Sequence, residues 1–192
     1  MPEKMTQQEY LQGMKQWADG ERLIPEAFTG GISNVMSHFS HWQQVSELLN
    51  EGDKAIEVGC GCGMSSRIYS LKTKRPFVAI DKPEVVQFSR MLYPTPGVLY
   101  GGADFNEDAW AWQLRKTERF DAVICVDVIE HVQQKEVFLE SLASLGHEKT
   151  RWIITAPIGE DQNPWHVHHW KSVEEFLDDV CRYIPVERII RV

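Results

Sequence analysis

The most chemically informative part of the chain is a glycine-rich loop that directly follows a short apolar strand. Residues 55–63 read AIEVGCGCG. Gly59, Gly61 and Gly63 remove side chains where the backbone must turn tightly, and they let a ligand lie against bare amide groups. The next residues, 64–69, can begin a helix whose N-terminal N–H groups face the same ligand. This segment predicts a small-molecule binding site.

An acidic residue at the end of the next predicted strand narrows the choice of ligand. Residues 76–80 form an apolar strand that ends in Asp81, and an acid at that point of a β-α-β unit can accept hydrogen bonds from ribose hydroxyls. A dinucleotide-binding loop needs a third glycine where Met64 stands, so that pattern fails. We therefore expect a different nucleoside-like ligand.

The loop and the acid before it resemble a known motif. Glu57-x-Gly-x-Gly-x-Gly, which ends at Gly63, resembles the first motif of class I S-adenosylmethionine-dependent methyltransferases. In that family the loop passes beneath the methionine part of the cofactor. The resemblance implies that the cofactor is S-adenosyl-L-methionine and that it is bound by Glu57, Gly59, Cys60, Gly61, Gly63, Asp81, Lys82, Asp104, Phe105 and Asp127.

Two further segments extend the resemblance, which runs in order from about residue 48 to about residue 180. The first segment is residues 102–105, which read GADF. In the resembled family, an acid at the position of Asp104 binds the adenine amino group, and its neighbour packs on the adenine ring. Asp104 is also suited to cap a helix, because Glu107 lies three residues later. Residues 120–132, FDAVICVDVIEHV, resemble the fourth-strand segment of small-molecule methyltransferases, especially the ubiquinone-biosynthesis O-methyltransferase type.

The cluster of Asp127, Glu130 and His131 has two interpretations. If a helix begins at residue 127, the spacing puts all three side chains on one side, and in the resembled ubiquinone-pathway enzymes such an arrangement can hold a divalent metal. The same spacing suits a capping box, with Asp127 as N-cap and Glu130 at the third helical position. We expect the capping and cofactor-supporting role and no metal site, and these three residues are the candidates if a metal binds.

A second polar cluster follows the fifth predicted strand. Residues 163–170 read NPWHVHHW and hold three of the seven histidines of the chain. Catalytic groups concentrate on loops of a rigid scaffold, and histidine can act as a base near neutral pH. We predict that His166 or His168 is catalytic; in an extended segment these two would share a face, with His169 on the other. The alternative is a loop attached to the sheet through histidine–carbonyl hydrogen bonds.

Together these features predict methyl transfer to a small molecule, at oxygen rather than nitrogen, with a histidine taking the proton of the acceptor. The alternatives are methylation of a protein side chain and a non-catalytic cofactor-binding subunit. Residues 163–165, NPW, are similar to the Asn/Asp-Pro-Pro-aromatic motif of DNA amino-methyltransferases, but they lack its second proline and follow the wrong strand. The net charge of −8 also argues against a nucleic-acid partner.

Length and composition suit one folded domain over residues 1–192. No apolar run approaches the roughly 20 residues of a membrane span, and residues 1–4 begin nothing like a secretory signal. The four cysteines lack zinc-type spacing and fit a reducing compartment. We therefore expect a cytoplasmic protein with no integral membrane segment, and a homodimer is one possibility.

Apolar strands that alternate with helices predict a Rossmann-like, doubly wound α/β fold, a mostly parallel sheet with helices on both faces. A helical extension is expected over residues 1–50 and the core over 51–192. Family members usually close the sheet with a seventh, antiparallel strand, whereas the last strand predicted here is the sixth. The predicted strands are 54–58, 76–81, 97–100, 120–126, 151–156 and 186–192, and the predicted helices are 6–18, 33–50, 64–72, 83–93, 106–115, 133–145 and 172–183.

Overall fold

The computed structural model describes residues 32–107, 110–111, 114, 119–160 and 163–186. The helix predicted at 6–18, much of the one at 106–115 and all but the first residue of the strand at 186–192 lie outside these ranges. The described strands are β1 (Ala55–Val58), β2 (Phe77–Asp81), β3 (Val98–Gly102), β4 (Phe120–Val126) and β5 (Gly146–Thr155). The described helices are α1 (Ile32–Glu47), α2 (Met64–Thr73), α3 (Pro83–Leu92), α4 (Lys135–Ala143) and α5 (Val173–Val180), with a 3₁₀ turn at Ile129–His131.

The five strands form one sheet in the order β3-β2-β1-β4-β5, and every adjacent pair is parallel. The parallel, doubly wound fold predicted from the sequence is therefore confirmed. All five strands end at one edge of the sheet, the carboxyl edge. The chain winds outward in both directions from the β1–β4 pair, and open α/β sheets bind ligands beyond the carboxyl edge at such a reversal.

Two hydrophobic cores lie on opposite faces of the sheet. Ile56 of β1 belongs to one core together with Phe138 of α4. Its neighbour Ala55 belongs to the other core, together with Trp42 of α1 and Tyr69 of α2. Because successive side chains of a strand point to opposite faces, helices cover both sides of the sheet.

Strand β5 begins at Gly146, five residues before the predicted start at 151. Its first residues, 146–150, read GHEKT, and most of them are exposed. Strand prediction relied on apolar residues, so it missed this part, which pairs with β4 through Phe120 and Gly146 across a register shift.

The glycine-rich loop offers a direct test of packing at the carboxyl edge. A Cβ atom on Gly59 would lie 2.2 Å from Val128 Cγ2, whereas one on Gly61 would meet nothing within 4 Å. Both residues have positive φ, 83° and 51°. We expect Gly61→Ala to lower the free energy of unfolding by about 1–2 kcal/mol through backbone strain alone, and Gly59→Ala to lower it further because Val128 must move. Urea unfolding of both variants measures the difference, and equal losses would contradict the predicted clash.

Candidate functional site

The glycine-rich loop is fixed to the end of strand β2 by backbone amides. The N–H groups of Gly59 and Cys60 donate to the Ile80 carbonyl at 2.8 and 3.1 Å, and the N–H of Gly61 donates to Asp81 Oδ2 at 2.8 Å. The other carboxylate oxygen, Oδ1, accepts the Lys82 N–H at 2.8 Å. The Asp81 carboxylate is therefore buried, oriented and placed directly beside the loop.

The three loop glycines have different surroundings. A Cβ atom on Gly63 would lie 2.6 Å from Tyr100 Oη, so Gly63, like Gly59, is required by packing. Gly61 faces open space, and its carbonyl accepts a hydrogen bond from the Ser89 hydroxyl at 2.6 Å. The middle glycine is thus the point where a ligand can approach bare backbone.

Three of the predicted cofactor-binding side chains lie inside the protein instead. Cys60 is buried in a core, and burial raises the pKa of its thiol well above the usual range. The Phe105 ring packs against Trp110 and Phe138, with ring centroids 5.2 and 5.7 Å apart, and its predicted contact with the adenine stays a prediction. Glu57 is 2% exposed and accepts the Ser66 hydroxyl, which places it behind the loop.

Asp104 remains partly exposed at the end of β3. Its Oδ1 accepts the N–H of Asn106 at 3.0 Å, and its carbonyl accepts the N–H of Glu107 at 3.1 Å. The carboxylate therefore orders the turn after β3. Its predicted contact with an adenine amino group stays a prediction.

Asp127 lies at the end of β4 in a left-handed backbone conformation, with φ of 52°. Thr155 at the end of β5 donates its hydroxyl to Asp127 Oδ1 at 2.7 Å. The 3₁₀ turn that follows begins only at Ile129 and has Val128 as an N-cap without a side-chain hydrogen bond. The predicted capping box of Asp127 and Glu130 is therefore wrong, because a residue of the neighbouring strand binds the carboxylate and no α-helix begins at residue 127.

The loop after β5 rests on this 3₁₀ turn. The Glu130 carbonyl accepts the N–H groups of Val167 and His168 at 2.8 and 3.2 Å. The Nε2 atom of His168 hydrogen-bonds the Val132 carbonyl at 2.8 Å. His168 thus attaches the loop to the turn, which is the alternative role considered for the loop histidines.

His166 points elsewhere. Its ring centroid lies 4.7 Å from that of His131 and 6.3 Å from that of His169. The prediction that His166 and His168 share a face is wrong, because the loop bends over the Glu130 carbonyl instead of remaining extended. His166 is the loop histidine that stays near other titratable side chains.

Glu130, His131 and His166 have potential metal-ligand atoms within 4.8 Å of one another. Two imidazoles and one carboxylate form a donor set that suits zinc. Asp127, a metal candidate in the sequence, is not a member of this group. Both imidazoles also hydrogen-bond within the loop: His131 Nδ1 to the Trp165 carbonyl at 3.1 Å, and His166 Nε2 to the Asn163 amide at 2.9 Å.

Two histidines of α1 also reach the carboxyl edge, and sequence reasoning missed them. His41 Nδ1 lies 3.7 Å from Asp127 Oδ2. Burial lowers the pKa of His38, and the nearby charge of Asp127 opposes this effect. The sequence could have indicated these two histidines, because they lie on the same stripe of α1 as the buried residues Trp42 and Val45. A polar residue at a buried position needs a partner.

Comparison with known proteins identifies the family. A methyltransferase domain family matches residues 36–190, most of the chain. The chain belongs to this family. This confirms the S-adenosylmethionine-dependent methyltransferase family that the ordered motifs predicted.

A curated relative points to one branch of these methyltransferases. The chain is 26% identical over 168 residues to the mitochondrial ubiquinone biosynthesis O-methyltransferase of Candida albicans, and the alignment covers 85% of this chain and 47% of the relative. The chain therefore spans about half the length of that relative.

Solved structures share the fold of this methyltransferase. A complex between the Haloferax volcanii Trm112 methyltransferase activator and a methyltransferase matches with a TM-score of 0.63 at 16% identity, covering 88% of this chain and 75% of the matched chain. The [4+2]-cyclase SpnF matches with a TM-score of 0.60 at 14% identity, covering 75% of this chain and 56% of that one. At these identities the likeness shows the fold alone.

No helix in the described ranges has the length and apolar character to cross a membrane.

The buried Glu57 of this methyltransferase gives a pH-dependent prediction. Burial raises the pKa of Glu57 from 4.5 to about 7, and the Ser65 and Ser66 hydroxyls oppose part of this rise. The stabilising contribution of Glu57 is therefore complete below the pKa that this carboxyl has in the unfolded chain. It is lost as the pH rises through the pKa that the carboxyl has in the folded protein. We expect Glu57→Gln to gain stability relative to the parent between about pH 5 and about pH 8, by on the order of 3 kcal/mol at most.

Urea unfolding of parent and variant across this pH range measures the gain. Glu140→Gln, at an exposed position of α4, is the matched control and is expected to show a constant difference. A pH-independent difference for Glu57→Gln as well would contradict the raised pKa.

Proposed function

We propose that this protein transfers the methyl group of S-adenosylmethionine to an oxygen atom of a small molecule. The observation that carries the proposal is the fixed pair of Gly61 and Asp81 at the carboxyl edge, where open α/β sheets bind ligands. The name of the curated relative, an O-methyltransferase of ubiquinone biosynthesis, supports oxygen as the accepting atom. Nitrogen acceptors are the second choice.

The residues at the carboxyl edge fit this cofactor. The Asp81 carboxylate is held at the end of β2 by the N–H groups of Gly61 and Lys82, and an acid at this point of a β-α-β unit can accept hydrogen bonds from ribose hydroxyls. The open side of Gly61 suits the methionine part, and Asp104 and Asp127 remain exposed enough for the amino groups. When bound, the cofactor supplies a methyl group on a positively charged sulfur. The chain holds the two reactants in line, which can contribute several kcal/mol through orientation.

The acceptor is expected between the end of β4 and the loop after β5, where histidines concentrate. A histidine at this edge takes the proton of the acceptor hydroxyl, and His166 is the loop residue that the sequence predicts for this role. We infer that His168 acts as an attachment point, since its Nε2 bonds the Val132 carbonyl. No resident metal is part of this proposal.

Two alternative functions follow from other observations. Methylation of a protein side chain uses the same chemistry on a larger acceptor. A non-catalytic, cofactor-binding subunit would support a partner chain, as a second copy or another protein; a neighbour in fold comes from a complex with a methyltransferase activator. We propose the cytoplasm as the location, although the curated relative is named as mitochondrial.

Substitution of Asp81 tests the cofactor assignment. We expect Asp81→Ala to weaken S-adenosylmethionine binding by about 1.5–3 kcal/mol, because a charge-assisted hydrogen bond to ribose is lost. Asp81→Asn keeps one acceptor for the loop amides and should lose less. Isothermal titration calorimetry with S-adenosylmethionine, S-adenosylhomocysteine and NAD measures these affinities. Unchanged affinity in Asp81→Ala, or tight NAD binding by the parent protein, would refute the assignment.

Labelled methyl transfer tests the acceptor class. Incubation with methyl-labelled S-adenosylmethionine and a metabolite extract should place label in a small-molecule fraction, and a chelator should leave the rate unchanged. Label in the protein fraction would support the protein-acceptor alternative, and no transfer despite cofactor binding would support the binding subunit. Activity that a chelator abolishes and magnesium restores would overturn the expectation of no metal.

A further inference from the structure

Helix α1 carries a histidine pair to the carboxyl edge on a stripe that is otherwise apolar. Trp42 and Val45 are buried against the sheet, and His38 and His41 continue the same stripe toward the helix N-terminus. The 16 residues of α1 span about 24 Å, enough to run the height of the sheet. The stripe changes from apolar to imidazole where it reaches the carboxyl edge.

His41 has different surroundings at its two ring nitrogens. Nδ1 lies 3.7 Å from Asp127 Oδ2, whereas Nε2 is fully buried and no described group lies within hydrogen-bond distance of it. A carboxylate beside Nδ1 favours the tautomer that keeps the proton there, which leaves a lone pair on Nε2. The Nε2 atom is therefore an unsatisfied acceptor whose natural partner is a hydrogen-bond donor.

Asp127 is itself held rigidly. The Thr155 hydroxyl fixes Oδ1 at 2.7 Å, and the left-handed backbone at residue 127 turns the chain out of β4. A carboxylate that orients an imidazole from behind, with its own position set by a third group, is the arrangement by which proteins prepare a general base.

A second buried polar atom is found in the same region. No described group hydrogen-bonds the Tyr69 hydroxyl of α2. Burial raises the pKa of Tyr69, and the charges of Glu57 and Asp127 raise it further. Two buried polar atoms on described helices of this face, His41 Nε2 and Tyr69 Oη, thus lack a hydrogen-bond partner among the described residues, and the charge of Asp127 acts on Tyr69 as well as lying beside His41. Since unsatisfied buried polar groups are rare in native proteins, these atoms are suited to a ligand.

We propose that His41 is a catalytic residue of the methyl transfer and accepts the acceptor's proton at Nε2, with Asp127 as its positioning residue. This inference rests on the function proposed above. The acceptor oxygen forms a bond to the methyl carbon while the carbon–sulfur bond breaks, and the bonding electron pair stays on sulfur. The hydroxyl proton moves to Nε2, and the resulting imidazolium, stabilised by Asp127, returns it to solvent.

His41 has a stronger structural case for this role than His166. The His166 Nε2 atom already faces the Asn163 amide at 2.9 Å, and the His166 ring lies against His131. The charged and titratable groups described around His41 are His38 on the same helix and Asp127 at the end of β4. Of the two histidines, only His41 combines a facing carboxylate with an Nε2 atom that has no described partner.

The test compares His41→Ala, His41→Asn and His166→Ala with the parent, using methyl-labelled S-adenosylmethionine and a metabolite extract as the acceptor source. We expect both His41 variants to lose about 100- to 10,000-fold in kcat while their calorimetric affinity for S-adenosylmethionine changes little. Added imidazole should restore part of the rate of His41→Ala, which a purely structural role would not produce. Ser40→Ala, at an exposed neighbouring position of α1, is the control and should retain parental activity.

The outcomes separate this inference from the proposed function. Transfer by the parent with full activity in both His41 variants would overturn the role of His41 alone. A rise in KM with unchanged kcat, or a loss that imidazole does not rescue, would also overturn it. No transfer by the parent would overturn the proposed function, and the role of His41 with it. Melting temperatures of the variants identify losses caused by unfolding, and His41→Asn keeps the test valid if His41→Ala does not fold.

Discussion

The glycine-rich loop is held at the end of β2 by three backbone N–H groups, two on the Ile80 carbonyl and one on the Asp81 carboxylate. These bonds join two neighbouring strands of the sheet, because the loop leaves β1 while its acceptors belong to β2. They fix where α2 begins, which side of Gly61 stays open and how the acid faces the ligand space. The position of the glycine-rich loop therefore depends on local backbone geometry that tolerates few side chains.

A second set of contacts at the carboxyl edge is organised around Asp127. Its carboxylate lies between the Thr155 hydroxyl of β5 and His41 of α1, so it connects elements that precede and follow it in the chain. The 3₁₀ turn after it supports the histidine loop through the Glu130 carbonyl. Helix α1 and the loop after β5 are thus both tied to residues at or just after the end of β4, whereas the glycine-rich loop is held by the end of β2.

Proteins with different activities share this fold. A cyclase and a methyltransferase in complex with an activator both share the fold at low sequence identity. Function has to be argued from the site because a fold hosts many activities. In this chain, α1 and the loop after β5 carry the histidines that lie near the residues at and after the end of β4.

The sequence by itself determined the family, the parallel sheet and the glycine loop with Asp81, because each follows from short-range patterns: strand periodicity, glycine spacing and an acid at a strand end. The tertiary structure decided which polar side chains meet. Asp127 binds Thr155 across 28 positions, and His168 binds Val132 across 36. His41 reaches Asp127 from a separate helix. Local spacing predicted a capping box of Asp127 and Glu130 and a shared face for His166 and His168. The side chains of Asp127 and His168 instead form long-range hydrogen bonds to a neighbouring strand and to the 3₁₀ turn. Such contacts depend on how helices and loops pack on the sheet, and a short stretch of sequence does not specify that packing.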